Sequence, residues 1–300
     1  MNDPFAAAAA DARPTLLAGL IGRGIQGSLT PALHEREGAA HGLALSYRRI
    51  DLDAMGLGAG ALPDLLDRAE AAGFAGLNIT FPCKQTVIPL LHALSEEAEA
   101  LGAVNTVVLK GGRRIGHNTD CSGFAESFTR GLPDAPLREV VQLGAGGAGS
   151  AVAEALLRKG VGRLTIHDVE AGRAEDLAAA LRARLGDGRA RAGVALEAAL
   201  VGADGVVNCT PVGMAKLPGT PMPVGLLRPD LWVAEIIYFP LETALLRAAR
   251  ALGCRTLDGG GMAVFQAVGA FRLFTGREPD AARMLAHFAN LVAAPQPGAI

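Results

Sequence analysis

From residue 15 onward, short apolar runs take turns with stretches whose apolar residues fall at helical spacing. Residues 16–21 predict a strand. A glycine-rich loop follows, then a helix opening at Pro31, whose fixed φ suits a first helical position. Positions 46–52 partly alternate and predict a second strand, 62–72 a helix and 76–80 a third strand. Helices are expected at 84–91 and 95–101, with an apolar stretch at 104–109. Strand-helix-strand order of this kind implies a mostly parallel sheet. A second such series starts after Asp120, with strands at 140–143, 164–167, 205–208 and 232–236 and helices at 148–159 and 173–184. Two helices, 262–275 and 279–292, close the chain, and no repeat of fixed period stands out.

The pattern therefore predicts an α/β protein of two domains. The first takes 1–119 together with the returning C-terminal helices of 260–300, and the second takes 120–259. A cleft between two such domains is where a ligand is expected.

One turn carries specific chemistry. Val140-Val141-Gln142-Leu143 runs into Gly144-Ala145-Gly146-Gly147-Ala148-Gly149, which opens an amphipathic helix. G-x-G-x-x-G gains meaning from a strand before it and a helix after it. The first glycine permits the tight turn, the second lets a pyrophosphate approach the backbone, and the third lets helix and strand pack closely. The next strand ends in Asp168, nineteen residues beyond Gly149. A carboxylate there accepts hydrogen bonds from the adenosine ribose and repels a 2′-phosphate, so NAD is expected over NADP. Arg173 could offset that repulsion. The second domain is thus expected to be a Rossmann dinucleotide-binding domain.

Composition narrows the partners. Half of the 300 residues are apolar, 19% are charged and the net charge is −2, which gives no electrostatic reason to expect nucleic acid or a membrane surface. The four cysteines (83, 121, 209 and 254) are scattered with no C-x-x-C spacing, so neither a zinc site nor a redox pair is expected. Reduced, buried thiols in a cytoplasmic protein fit them. Residues 1–14 carry Asp3 and an alanine-only apolar run, which reads as a disordered tail rather than a leader.

Only four of the 28 basic residues are lysines, and one of them, Lys84, stands after Asn78-Ile79-Thr80-Phe81-Pro82-Cys83 at the end of a predicted strand. Lysine can release its proton in a site that lowers its pKa; arginine in effect cannot. On its own, Lys84 reads equally as a solvated residue at a helix start.

The set of motifs around it resembles the shikimate and quinate dehydrogenases. Asn78-Ile79-Thr80 with Phe81-Pro82-Cys83-Lys84, Gly102-Ala103-Val104-Asn105-Thr106 and Gly116-His117-Asn118-Thr119-Asp120 carry the likeness. So do the run from Gly22 to Pro31, Tyr238-Phe239-Pro240-Leu241-Glu242-Thr243, and Gly261-Met262 with Gln266-Ala267. The resemblance covers nearly the whole chain and implies that Lys84 and Asp120 form the catalytic pair. Lys84 would be the general base in oxidation and Asp120 would orient it, with no metal required. It implies that Ser28 and Thr30 hold a substrate carboxylate, that Thr80, Asn105 and Gln266 bind ring hydroxyls, and that Tyr238 serves the carboxylate end. Cofactor contacts would come from Gly144, Ala145, Gly146, Gly147, Ala148, Asp168, Arg173, Thr210, Val212 and Gly261. Singly, Ser28 and Thr30 read as turn and N-cap residues, and Gln266 as a surface amide. Cys83 reads as incidental.

Two departures from common shikimate dehydrogenases resemble the NAD-dependent quinate/shikimate branch. The loop reads Ser-x-Thr rather than Ser-x-Ser, and Asp168 stands where NADP-using members carry a short basic motif. The expectation is an enzyme, monomeric or homodimeric, that oxidises quinate or shikimate at C3 with NAD in quinate metabolism. The alternatives are an NADP-dependent enzyme of aromatic amino acid biosynthesis and a non-catalytic dinucleotide sensor on the same fold.

Overall fold

The computed structural model describes residues 4–5, 15–186 and 188–293. Of the expected tail, all but Pro4 and Phe5 lies outside the described residues. Phe5 is buried, with its ring 6.0 Å from that of Phe74 and the Arg68 guanidinium 4.2 Å above it. The chain divides into two compact units, Met1–Thr119 with Gln266–Ile300, and Asp120–Phe265.

In the first unit the elements run β1 (Thr15–Gly22), α1 (Thr30–Ala40), β2 (Ala44–Asp51), α2 (Leu62–Ala71), β3 (Phe74–Ile79) and α3 (Cys83–Thr86). They continue through β4 (Ala93–Leu94), α4 (Glu96–Leu101), β5 (Thr106–Lys110) and β6 (Arg113–His117). The six strands form one sheet in the order β2-β1-β3-β5-β6-β4. β1, β2 and β3 pair in parallel, whereas β5 is antiparallel to both β3 and β6. The helix expected at 84–91 is one turn, α3, followed by a 3-10 turn at Ile88–Leu90. Pro89 has no N–H to continue the ladder. The strand β6 is not foreseen by the pattern, because Ile115 is its one large apolar side chain. Backbone pairing with β5 holds it, across a Gly111-Gly112 turn in which both φ angles are positive.

In the second unit follow α5 (Asp120–Gly131), β7 (Glu139–Leu143), α6 (Gly147–Arg158), β8 (Arg163–His167), α7 (Ala171–Leu185) and β9 (Ala190–Ala192). Then come α8 (Leu196–Val201), β10 (Gly205–Asn208), β11 (Trp232–Glu235), α9 (Ala244–Ala251) and β12 (Thr256–Leu257). This sheet is parallel throughout, in the order β12-β11-β10-β7-β8-β9. One face buries Val141, Val206, Val233, Leu245 and Leu246. Trp232 is buried, with its Nε1–H on the Pro136 carbonyl at 2.9 Å, and a side chain at Gly205 would run into its indole.

The chain ends in α10 (Gly260–Thr275) and α11 (Ala281–Ala293). The second unit boundary falls within α10, at Phe265 and Gln266, six residues beyond the expected 259–260. In the first unit, Arg283 on α11 donates twice to the buried Glu37 of α1, at 2.6 and 2.8 Å. Among the described residues, no helix is long and apolar enough to cross a membrane.

Candidate active site

In the first unit, the C-terminal ends of β1, β2 and β3 lie side by side: Gly22 pairs with Asp51, and Ile21 with Ile79. Chain loops leave from this edge, which is where open α/β sheets place their ligands. The β1–α1 loop is held from below by Asp51. Its carboxylate accepts from the N–H groups of Gly24 (3.0 Å), Ile25 (3.1 Å) and Asp53 (3.1 Å) and from Gln26 Nε2 (2.9 Å). Burial pushes this carboxyl up, but the four donors overcome it and hold the pKa below the ordinary aspartate value. Arg49 adds a hydrogen bond to the Ser28 carbonyl at 2.9 Å. Sequence reading missed both residues; an acidic residue ending a strand opposite a glycine-rich loop was the signal.

On that loop, the Ser28 hydroxyl donates to Thr30 Oγ1 (3.1 Å) and accepts from the Thr30 N–H (3.3 Å). Thr30 is the first helical residue of α1 and caps nothing, since the N-cap is Leu29. The Ser28–Thr30 pair therefore presents two adjacent hydroxyls at the start of a helix. Thr80 packs against the last residue of β1, where the loop leaves: a Cβ on Gly22 would lie 2.2 Å from its methyl. Thr80 N–H also donates to Ile21 O at 2.9 Å. Lys84 sits in α3, and its carbonyl accepts from Val104 N–H at 2.8 Å, which ties it to the segment carrying Asn105.

Asn105 is buried and its amide has a fixed orientation. Its Oδ1 accepts from Thr119 N–H (2.8 Å) and from the Thr106 hydroxyl (3.0 Å), so its Nδ2 is the side that donates, to Thr119 Oγ1 at 3.0 Å. A backbone N–H can only donate, which settles the flip. Tyr47 and Asn78, neither singled out in the sequence for this role, extend the network: Tyr47 OH donates to Asn78 Oδ1 (2.6 Å) and Asn78 Nδ2 to Thr106 Oγ1 (2.9 Å). Gln266 lies on α10 one turn before Gly269, which approaches Thr119 so closely that a Cβ would be 3.0 Å away. Five of the expected substrate residues (Ser28, Thr30, Thr80, Lys84 and Asn105) thus share one sheet edge. Cys83 is fully buried and burial pushes its thiol up, so it is a core residue.

The second unit begins with Asp120, buried at the N-terminus of α5. Tyr238 is partly exposed, and its phenol is pushed up by desolvation and by the Asp120 charge, which puts the two within electrostatic reach.

The glycine turn has the geometry its spacing predicts. Gly144 has φ +98°, and a Cβ there would lie 2.8 Å from the Cys209 carbonyl. A Cβ on Gly149 would lie 2.4 Å from Gly144 O. At Gly146 it would meet nothing within 4 Å. Gly146 is the N-cap of α6, whose first intrahelical bond is Ser150 N–H to Gly146 O, so the amides of Gly147, Ala148 and Gly149 precede the ladder. Open space in front of uncommitted N–H groups and a helix dipole suits a pyrophosphate. Gln142, buried in β7 and missed in the sequence, uses both amide hydrogens on the turn, donating to Gly144 O and Gly149 O at 2.9 Å each.

Asp168 follows β8 and is joined to the turn: it accepts from Ala145 N–H at 2.7 Å and from Glu170 N–H at 2.9 Å. Arg173 connects only indirectly, through an exposed ion pair with Glu170 at 2.9 Å. On the other side of β7, Thr210 and Val212 follow β10. Val212 N–H donates to Thr210 Oγ1 (3.2 Å), and the Thr210 backbone abuts Gly144. Gly261 has a packing reason of its own, since a Cβ there would lie 2.3 Å from Ser127 Oγ. These residues fit a dinucleotide laid along the carboxyl ends of β8, β7 and β10, with the turn at its centre.

Comparison with known proteins agrees with this layout. A description of the shikimate dehydrogenase substrate binding domain matches residues 20–107, and one of the shikimate 5′-dehydrogenase C-terminal domain matches 259–287. A Streptomyces avermitilis protein named shikimate dehydrogenase (NADP(+)) is 62% identical over 92% of this chain and 95% of its own. A Corynebacterium efficiens protein named quinate/shikimate dehydrogenase (NAD(+)) is 52% identical over 92% of this chain and 99% of its own. The solved quinate dehydrogenase from Corynebacterium glutamicum in complex with NAD has a TM-score of 0.86 at 51% identity, covering 92% of this chain and 99% of that one. The two-unit α/β architecture, the motifs along both sheet edges and identity across nine-tenths of the length lead to one conclusion: the chain belongs to the shikimate dehydrogenase family.

Proposed function

We propose that the protein oxidises the C3 hydroxyl of quinate or shikimate, reversibly, with NAD. The observation that carries the cofactor choice is Asp168. Its carboxylate is pinned to Ala145 N–H beside the glycine turn, so a 2′-phosphate there would meet a fixed negative charge. Arg173, the cation that could offset it, is engaged with Glu170. When bound, NAD supplies the hydride acceptor.

The chain's own residues do the rest. Lys84 takes the proton of the ring hydroxyl during oxidation and returns it during reduction, and Asp120 orients Lys84 and shares the hydrogen bond to that hydroxyl. Ser28 and Thr30 hold the ring carboxylate through their neighbouring hydroxyls, with Tyr238 serving the same end. Thr80 and Gln266 bind ring hydroxyls. Asn105 does so as a donor, because its Oδ1 is already committed to Thr119 and Thr106. The Thr30 methyl changes the space beside the carboxylate, which bears on a ring with one more hydroxyl.

A second reading is favoured by the 62% identical relative, which is named for NADP. Steady-state kcat/KM for quinate and shikimate, each with NAD and NADP, decides between them. The proposal expects the highest value with NAD; a preference for shikimate with NADP overturns it. In Lys84→Ala, turnover should fall about a thousandfold while NAD still binds, a loss typical of a removed acid-base group.

A further inference from the structure

A buried carboxylate in the second unit has no part in the site so far described. Glu235 ends β11 in the apolar run Trp232-Val233-Ala234-Glu235-Ile236-Ile237 and is 1% exposed. It pairs in register with Asn208, the last residue of β10, which is fully buried.

Asn208 organises the loop that follows it. Its Oδ1 accepts from the Thr210 N–H (2.9 Å) and hydroxyl (2.7 Å), and its Nδ2 donates to Val212 O (3.0 Å) and Glu235 Oε1 (2.8 Å). The same Thr210 hydroxyl accepts from Val212 N–H. Every turn of this loop therefore refers back to one amide, and that amide must not flip. The Thr210 N–H, which can only donate, fixes its Oδ1 side, and the Glu235 oxygen holds its Nδ2 side from the neighbouring strand. The other oxygen of Glu235 accepts from the Thr243 hydroxyl at 3.1 Å, and Thr243 in turn caps α9 by accepting from Leu246 N–H at 3.2 Å.

The position is an unfavourable one for a charge. Burial pushes the Glu235 carboxyl up to about 7, with the hydrogen bonds from Asn208, Thr243, Ile237 and Ile236 pulling it down. An aliphatic side chain of the same size would fill this strand position without that cost.

The sheet order says which part of a ligand the loop meets. β7 carries the glycine turn, β8 with Asp168 flanks it on one side, and β10 flanks it on the other. With the adenosine ribose at Asp168 and the pyrophosphate at the turn, the loop after β10 receives the opposite, nicotinamide end.

We propose that Glu235 is a positioning residue for the bound dinucleotide: through Asn208 it fixes the Thr210–Val212 backbone, and with it the seat of the nicotinamide half. The proposal rests on the dinucleotide reading of the second unit.

Calorimetric titration of the full chain with NAD and with ADP-ribose, which lacks the nicotinamide, tests it. Glu235→Leu should raise the Kd for NAD about tenfold, the equivalent of ordering roughly one more residue, and leave that for ADP-ribose within about twofold. Glu235→Gln, which can still offer an oxygen to Asn208, should bring the NAD value back to within about threefold of wild type. Should Glu235→Leu not fold, Asn208→Ala leaves the carboxyl in place and carries the same comparison. Hydrogen exchange at the Thr210 and Val212 amides should rise in either variant. Equal losses for NAD and ADP-ribose, or no loss for either, overturn the positioning role alone. A wild-type chain that binds NAD, NADP and ADP-ribose no better than an unrelated protein overturns the dinucleotide reading, and the proposal with it.

Discussion

Each unit contains a buried carboxylate at the C-terminal end of a parallel strand, and each uses it to shape the loop beside the site. Asp51 is 3% exposed and Glu235 is 1% exposed, yet their proton affinities move in opposite directions. Asp51 is held low and Glu235 is raised to about 7. The difference lies in the company each keeps. Asp51 meets four donors aimed straight at it, three from the β1–α1 loop and the Asp53 N–H from its own turn. Glu235 is sunk deeper, among Cys209 and the apolar sheet, where desolvation outweighs the donors it has. The same residue class does one job, holding a loop, at opposite cost to the fold.

Removing the Asp51 carboxylate should cost the protein most. Asp51→Ala removes the acceptor for four donors, and should destabilise the protein by roughly 3–5 kcal/mol in denaturant unfolding. KM for the ring acid should rise while NAD affinity stays unchanged. Parallel loss of both affinities would show that Asp51 does not act on the substrate loop in particular.

Next in size is a pH effect at Glu235. Glu235 has a folded pKa of about 7 against 4.5 as its ordinary value. A raised carboxyl favours the fold at low pH, and that contribution is lost as pH rises through about 7. Glu235→Gln should therefore gain on wild type between pH 4.5 and 7 and be more stable by roughly 3 kcal/mol at pH 8. Asp51→Asn should show the reverse sign. It is less stable than wild type at neutral pH, and the gap closes as pH falls below 3.8. Thermal melts of both variants across pH 3–8 check the pair; curves that run parallel to wild type would dissolve the contrast.

A smaller, more local effect separates sterics from hydrogen bonding. Gly149→Ala places a methyl 2.4 Å from Gly144 O, and the backbone must shift. NAD affinity should fall about tenfold, with the quinate or shikimate KM at saturating cofactor changed by less than about twofold. The smallest belongs to the exposed Arg173–Glu170 pair. Glu170→Ala should alter stability by less than about 0.5 kcal/mol, and relative kcat/KM for NADP should rise only a few-fold as Arg173 is released.

Much of this was legible in the chain because it depends on local chemistry. Gly144 and Gly149 each have a steric or conformational reason that spacing alone states, Gly146 leaves open space before α6, and Asp168 follows from the strand after them. The strands with strong apolar patterns fall within a residue or two of where the pattern puts them. The polar strand β6 escaped, since its place comes from pairing with β5 and not from its own side chains.

The order of residues along the chain sets which groups are present: a glycine turn, an acid nineteen residues on, a lysine after a strand, an inserted second α/β series. Which residues hold those groups in place follows from the folding of the chain. Asp51 is 27 residues from Gly24, Asn208 is 27 from Glu235, and Thr119 is 14 from Asn105. No local pattern encodes such pairings. They arise when paired strands, parallel for Asp51 and Glu235 and antiparallel for Asn105, bring distant residues into register, where burial makes each unmet donor or acceptor costly enough to fix its partner.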